Sequence, residues 1–309
     1  MSEYPILKLG TRQSPLAMVQ AEETRRRLCE AHSWPEEAVE LVPVVASGDK
    51  VLDRPLSEIG GKALWTKELD AWLGEGLIHA SVHSLKDVET VRPESLLLTA
   101  ILPRADKRDR LIGARSIADI AQGAVVGTSA PRRAAQLLHM RPDCKVVTFR
   151  GNVATRLGKL DAGEADATFL AAAGLSRLGE DAVGHPLDQN DWLPAPAQGA
   201  IALECRADDA ATQELLAPLN HAPTYAEVMA ERALLLALGG NCHSPIAVLC
   251  DHTDGHLNMR AAIFSMDGAE RVEAEARFTS GDTAAPAKLA MQLLENATPG
   301  VRAVFDGSP

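Results

Sequence analysis

Arginine recurs where this chain leaves a strand. Gly127-Thr128-Ser129-Ala130-Pro131-Arg132-Arg133 is one such place, and Thr148-Phe149-Arg150-Gly151-Asn152, followed by Arg156, is another. Each reads as a strand that ends in small or hydroxylic residues and then enters a helix. A helix N-terminus presents unpaired N–H groups and a partial positive charge, so it attracts anions. A guanidinium adds a planar fork that grips carboxylate or phosphate through two parallel hydrogen bonds. Two such sites on successive strands face the same edge of a sheet, which predicts a polyanion cradle. Thr11-Arg12-Gln13-Ser14-Pro15 repeats the pattern, and His83-Ser84-Leu85-Lys86-Asp87 puts a hydroxyl, a cation and a carboxylate just past another strand. Taken singly, each is an ordinary cap or turn. Their repetition at strand ends is what points to a site.

A nucleophile is the second candidate. Cys242 follows Leu238-Gly239-Gly240-Asn241 at the end of a helical run and precedes His243-Ser244-Pro245. Glycines let the backbone turn tightly and present the thiol, and a thiol is intrinsically nucleophilic even when mostly protonated. The same residue also reads as a small buried hydrophobe, which is the reading for Cys29, Cys144 and Cys205. Other constellations are weaker. Gly60-Gly61-Lys62 lacks the spacing and the hydroxyl of a phosphate loop. His79 and His83 have no carboxylate partner in their pattern, and Cys242, His243, Cys250, His252 and His256 match no zinc framework. No metal is expected.

Composition bounds the setting. The 309 residues suffice for two or three domains, and a hydrophobic fraction of 46 % with only 4 % aromatics predicts cores of Ala, Leu, Val and Ile. A formal net charge of -11 argues against a nucleic-acid or anionic-membrane binder, so the arginines are placed for something local. No apolar run reaches membrane-spanning length, and the first residues lack the pattern of a signal peptide. Five scattered cysteines suggest reduced thiols. The expectation is a soluble, cytoplasmic α/β protein.

The elements that must hold these residues follow from patterning. Strands are expected at 6–10, 39–45, 80–83 and 96–102, with a helix from Pro15 to Cys29 and another over 64–73. Residues 47–62 are polar and glycine-containing, and are expected to form a mobile lid with Lys62 at its end. A charged segment at 103–109 reads as a hinge, after which βα alternation resumes with strands near Val125, Val146 and Phe169. A proline-rich second crossing spans 186–196, then a strand over 198–204 and a helix over 212–219. Beyond 222 a helix to Leu238, three strands joined by Asp254-Gly255 and Asp267-Gly268 turns, and a final helix predict antiparallel hairpins in a small α+β domain. The expected domains are 1–103 with 198–220, 104–197, and 221–309.

Several motifs taken together resemble the porphobilinogen deaminase (hydroxymethylbilane synthase) family. They are Thr11 to Ala17, Val82-His83-Ser84-Leu85-Lys86-Asp87-Val88, Gly127-Thr128-Ser129 with Arg132-Arg133, Arg150-Gly151-Asn152-Val153, Ala173-Gly174-Leu175 with Arg177, and Gln198-Gly199-Ala200. The match runs in order from about residue 6 to 305. The resemblance implies two periplasmic-binding-protein-like (type II) α/β domains with a double crossover hinge, plus a small C-terminal α+β domain carrying a cysteine. In such enzymes that cysteine, Cys242 here, holds a dipyrromethane cofactor by a thioether. Four porphobilinogen molecules are condensed head to tail onto it with loss of ammonia, and the linear tetrapyrrole is then hydrolysed off. Asp87 matches the catalytic aspartate. Ser84, Lys86, Thr128, Ser129, Arg132, Arg133, Arg150, Gly151 and Arg156 match cofactor contacts. Arg12, Ser14, Gln20, Lys62, Arg177 and Gln198, with Arg150 and Arg156 again, match substrate contacts. A monomer is implied.

The resemblance explains the cradle, since every pyrrole carries an acetate and a propionate. Each charge-assisted bond to them contributes about 1.5–3 kcal/mol. Ala130-Pro131, Trp65, Glu89, Asn241 and His243-Ser244 depart from the family's usual residues, proline being usual where Glu89 stands. Two alternatives stay open on the residues alone. A non-catalytic anion-binding module of the periplasmic-binding-protein type explains the cradle but not Cys242. A cysteine-dependent acyl transferase explains Cys242 but not six spaced arginines.

Overall fold

The computed structural model describes residues 5–45, 66–240 and 244–305. The lid expected at 47–62, with Lys62, and the residues Trp65 and Cys242 lie outside them. The chain begins β1 (Leu7–Arg12), α1 (Pro15–His32), β2 (Val39–Val44), α2 (Lys67–Gly74), β3 (Ala80–Ser84) and β4 (Leu96–Ile101). It continues β5 (Asp109–Ile112), β6 (Val125–Gly127), α3 (Pro131–Met140), β7 (Lys145–Val147), α4 (Val153–Asp161), β8 (Ala167–Ala171), α5 (Ala172–Arg177) and β9 (His185–Pro186). Then come β10 (Ile201–Arg206), α6 (Ala210–Leu216), α7 (Ala222–Ala237), β11 (Ile246–Thr253), β12 (His256–Phe264), β13 (Arg271–Thr279), α8 (Ala285–Glu295) and α9 (Pro299–Phe305).

The described residues fall into two compact units, one of 5–45, 66–105 and 199–225, the other of 106–198 and 226–305. The first is built on a sheet of order β2-β1-β3-β10-β4. β1 runs parallel to β2 and β3, while β10 lies antiparallel between β3 and β4. Ile201 to Cys205 are all buried, Glu204 included, the near-continuous burial of a strand covered on both faces. On α1 the buried residues Ala17, Gln20, Ala21, Thr24 and Leu28 recur at helical spacing and form the face turned to the core. Its outer face carries the pairs Arg26–Glu30 and Arg27–Glu23 at i,i+4.

The second unit repeats the topology. Its sheet has the order β7-β6-β8-β5-β9, with β6 parallel to β7 and β8, and β5 antiparallel to both β8 and β9. In each sheet the reversed fourth strand is the one that follows a passage of the chain between units. That is the doubly crossed α/β architecture expected from the resemblance. The same unit holds the three-stranded antiparallel sheet β11-β12-β13, whose core face packs on α7, α8 and α9 through Leu234, Met259, Leu289 and Val301. Its other face meets α3, with Ala135 and Leu193 against Ala247, Ala262 and Phe264.

Three elements differ from expectation. β5 lies partly in the segment read as a hinge, β9 touches the proline-rich crossing, and α9 was not foreseen. β5 has 4 residues and β9 has 2, too short for periodicity to show, and their partners are distant in sequence. Pro186 is accommodated because β9 is an edge strand.

Candidate active site

In the first unit the site residues cluster beyond the ends of β1 and β3. Ser14 is the N-cap of α1, its Oγ accepting from the Ala17 N–H at 3.4 Å, with Pro15 opening the helix. β3 passes into a 3₁₀ turn at Leu85–Asp87, so Ser84, Lys86 and Asp87 emerge together from the sheet. Leu85 anchors that turn: its side chain is fully buried and its N–H donates to the Ala200 carbonyl at 3.1 Å. Ser84 and the buried Gln20 exchange hydrogen bonds of 2.8 and 3.0 Å, tying the end of β3 to α1. The Asp87 carboxylate is partly exposed and lies 3.6 Å from the Arg12 guanidinium. A carboxylate and a guanidinium thus share one rim, with Lys86 in the same turn as the carboxylate.

In the second unit the corresponding rim follows β6 and β7. The Thr128 N–H donates to the Val147 carbonyl, and its Oγ1 accepts from the Ala130 N–H, shaping the entry to α3. The N-cap of α3, Ala130, has no side-chain acceptor, and Ser129 beside it is half-buried. Arg132 and Arg133 sit in the first turn of α3, where the helix dipole disfavours cations. Asp109 compensates: its buried carboxylate meets Arg132 Nη2 at 2.8 Å and Arg133 Nη2 at 2.7 Å. It also accepts from Trp192 Nε1 at 2.8 Å and Gln198 Nε2 at 2.9 Å. Burial pushes the Asp109 carboxyl up, but the two guanidiniums and these donors outweigh it and hold it well below the usual carboxylate range. The pair is tethered further, Arg132 donating to the Leu193 carbonyl and Arg133 to that of Phe169, both at 2.9 Å.

Arg150, beyond β7, is only 6 % exposed. Gly151 follows with φ of +112°, a backbone conformation that a Cβ would strain, and its carbonyl accepts from Arg156 Nε at 3.0 Å. Asn152 caps α4, its Oδ1 accepting from the Thr155 N–H at 2.9 Å. Arg177 is half-buried at the end of α5. Gln198 is spent inward, donating to Asp109 and to the Lys107 carbonyl.

The buried Nε–H groups of Arg132 and Arg133 have no hydrogen-bond partner among the described residues. Unused guanidinium donors beside another buried arginine suit a ligand rich in carboxylates, so the donor set fits a dipyrromethane bearing acetates and propionates. The end of the helix that precedes Cys242 in sequence is also defined. Gly239, with φ of +66°, closes α7, donating to the Leu236 carbonyl while Gly240 donates to that of Leu235. This paired closure is a Schellman motif, which ends the helix sharply just before residue 242.

The model of the family described as "Porphobilinogen deaminase, dipyromethane cofactor binding domain" matches residues 7–214. That described as "Porphobilinogen deaminase, C-terminal domain" matches residues 225–298. The chain belongs to the porphobilinogen deaminase family. It is 53 % identical over 305 residues to the porphobilinogen deaminase of Sphingopyxis alaskensis, covering 97 % of this chain and 96 % of that one. Membership makes the chain a transferase of tetrapyrrole biosynthesis with a dipyrromethane cofactor, as the resemblance implied. The anion-binding module is not favoured.

Among solved structures, a periplasmic sulfonate-binding protein (described as putative) of Methylobacillus flagellatus is 14 % identical with a TM-score of 0.38, covering 75 % of this chain and 68 % of that one. A TRAP periplasmic solute binding protein of Desulfovibrio salexigens is 11 % identical with a TM-score of 0.41, covering 75 % and 78 %. The strand order of the two sheets, and not these distant likenesses, defines the fold. No helix among the described residues is long and apolar enough to cross a membrane.

Sequence reasoning missed Asp109. It stands in a run of charges, Asp106-Lys107-Arg108-Asp109, which reads as solvated surface. The only local signal was the apolar Leu111-Ile112 just after it, the mark of a strand beginning there.

Proposed function

We propose that the chain is a hydroxymethylbilane synthase in which Asp87 carries the chemistry. The supporting observation is its carboxylate, set on a rigid turn at the end of β3 and 3.6 Å from the Arg12 guanidinium. The dipyrromethane, when bound, supplies the primer to which pyrrole units are added. Arg12 holds a substrate carboxylate beside Asp87. Loss of ammonia from porphobilinogen leaves an electron-poor azafulvenium, and Asp87 stabilises that cation at the pyrrole N–H. An Asp87 oxygen then moves the proton released when the new bond rearomatises. Lys86, Arg150, Arg156 and Arg177 hold acetates and propionates, with Lys62 as a further cation. Thr128, Ser129, Arg132, Arg133 and Gly151 line the cofactor, and Gln198 steadies the arginine pair through Asp109. Ser14, Gln20 and Ser84 shape the rim.

Cys242 is the attachment point in this reading, because the glycine-closed end of α7 delivers the chain to it. The domain division of 1–103 with 198–220, 104–197 and 221–309 is part of the same reading, as are a monomeric state and a cytoplasmic location.

Two measurements test it. Intact mass of the purified protein should exceed that of the bare chain by one dipyrromethane, and Cys242→Ala should abolish both the excess and tetrapyrrole formation. An adduct that persists on Cys242→Ala overturns the attachment site. Asp87→Asn should keep the adduct while single-turnover condensation falls by about a hundredfold or more. A rate within a few-fold of the parent removes Asp87 from the chemistry.

A further inference from the structure

Behind the Asp87 turn lies a charge cluster that the reaction itself does not use. Arg92 is its centre. Its Nε donates to Glu204 Oε1 at 2.8 Å and its Nη2 to Glu204 Oε2 at 2.9 Å, a bidentate grip. Nη2 also donates to Asp70 Oδ1 at 2.6 Å. Nη1 donates to Glu89 Oε2 at 2.8 Å and to Thr66 Oγ1 at 3.3 Å. All five N–H groups of the guanidinium are therefore matched to acceptors. Thr66 passes its own proton on to Glu89 at 3.0 Å, which is why this N-cap of α2 makes no side-chain bond to its helix. On the far side, His83 Nε2 lies 3.2 Å from Glu204 Oε2, an ion-pair distance without hydrogen-bond alignment.

The placement of these partners along the chain is informative. His83 stands immediately before the Ser84 to Asp87 segment, and Glu89 stands two residues after Asp87. Glu204 pairs with Ser81 across β10 and β3, and His83 is the next residue on the same face of β3. Arg92 thereby holds both flanks of the turn, one through Glu204 and His83, the other through Glu89. Ser84, on the opposite face, is held by Gln20. The side chains of Glu204 and His83 are 0 % and 4 % exposed and that of Arg92 is 9 %, so water offers little competition. Three carboxylates around one guanidinium are more than stability alone needs, since a buried ionic knot gains little over apolar packing.

We infer that Arg92, with Glu89 and Glu204, is a positioning clamp that fixes the aim of the Asp87 carboxylate. This rests on Asp87 being the catalytic carboxylate. Glu89 tethers the chain after the turn into the cluster, accepting from both Arg92 and Thr66. The clamp touches neither substrate nor cofactor. It acts through the turn, and misplacement of a reacting group by a fraction of a bond length is enough to slow chemistry.

A double-mutant cycle on the cofactor-loaded enzyme tests the clamp. Arg92→Lys keeps the charge and loses the fork, and Glu89→Gln, at a partly exposed position, keeps the fold if Arg92→Lys does not. Each should lower kcat by about tenfold or more with KM within about twofold. In an Asp87→Asn background the same substitutions should change kcat by less than about twofold, because their target is gone. Loss of the same factor in both backgrounds shows a general structural effect and overturns the clamp. So does full kcat in Glu89→Gln. If Asp87→Asn itself leaves the rate intact, the reading of Asp87 fails first, and that outcome is distinct from failure of the clamp.

Discussion

Asp109 shows what a single side chain is asked to do here. Two guanidiniums, an indole N–H and an amide converge on one carboxylate with no exposure. Breaking a buried ion pair from one side leaves an uncompensated charge, which costs about 3–5 kcal/mol. Asp109→Asn keeps the shape and removes the charge, so its urea unfolding free energy at neutral pH should fall by that amount. A loss under about 1 kcal/mol would mean that the arginines are neutralised some other way. The arginines were legible in the sequence because a guanidinium just past a strand declares its chemistry locally. Their counter-ion was not, since Asp109 lies 24 residues from Arg133 and 83 from Trp192, and no local pattern encodes such a pairing. The Arg92 cluster was hidden for the same reason: Glu204 is 112 residues from Arg92.

At the scale of elements, the end of α7 is the most exacting piece of local structure. Leucine and alanine carry the helix, and Gly239 in the left-handed region turns it off. An L side chain in that conformation costs about 1–2 kcal/mol. Gly239→Ala should lower stability by that much, read as a shift in the urea midpoint. It should also lower the fraction of chains carrying the cofactor mass, since the helix end at Gly239 and Gly240 loses its closing bonds. Normal loading in a destabilised variant would separate helix closure from attachment. Here the sequence was informative: the apolar run to Leu238 followed by paired glycines is a stop signal readable without any tertiary contact. The strands β5 and β9 carry no such signal, because β5 exists by pairing with β8 and β9 by pairing with β5.

At the scale of the molecule, buried carboxylates tie stability to pH. Burial raises the Glu204 carboxyl, yet contacts with His83 and Arg92 outweigh it and bring it from 4.5 down to about 2. Asp109 is depressed as well, burial being outweighed by Arg132 and Arg133. A carboxyl held lower in the folded state favours folding above its unfolded pKa, and that contribution is lost as pH falls through the folded value. Glu204 therefore withdraws its support between about pH 4.5 and pH 2. Asp70 works the other way, its carboxyl raised by burial against the pull of Arg92, so protonating it relieves a cost. The unfolding free energy should be nearly flat from pH 7 to 5 and then fall steeply, with Glu204→Gln flattening part of that descent. An unchanged descent in Glu204→Gln would assign acid sensitivity to other groups.

The position of β10 has a consequence for synthesis. A ribosome delivers β1 to β4 long before β10, yet β10 is the strand that joins β3 to β4. The nascent first sheet therefore waits with two open edges. Every strand of the second sheet lies between residues 109 and 186, so it has all its partners before β10 emerges. The middle of the polypeptide is free to mature ahead of its beginning, and the open edges of β3 and β4 are what a chaperone has to shield in the interval.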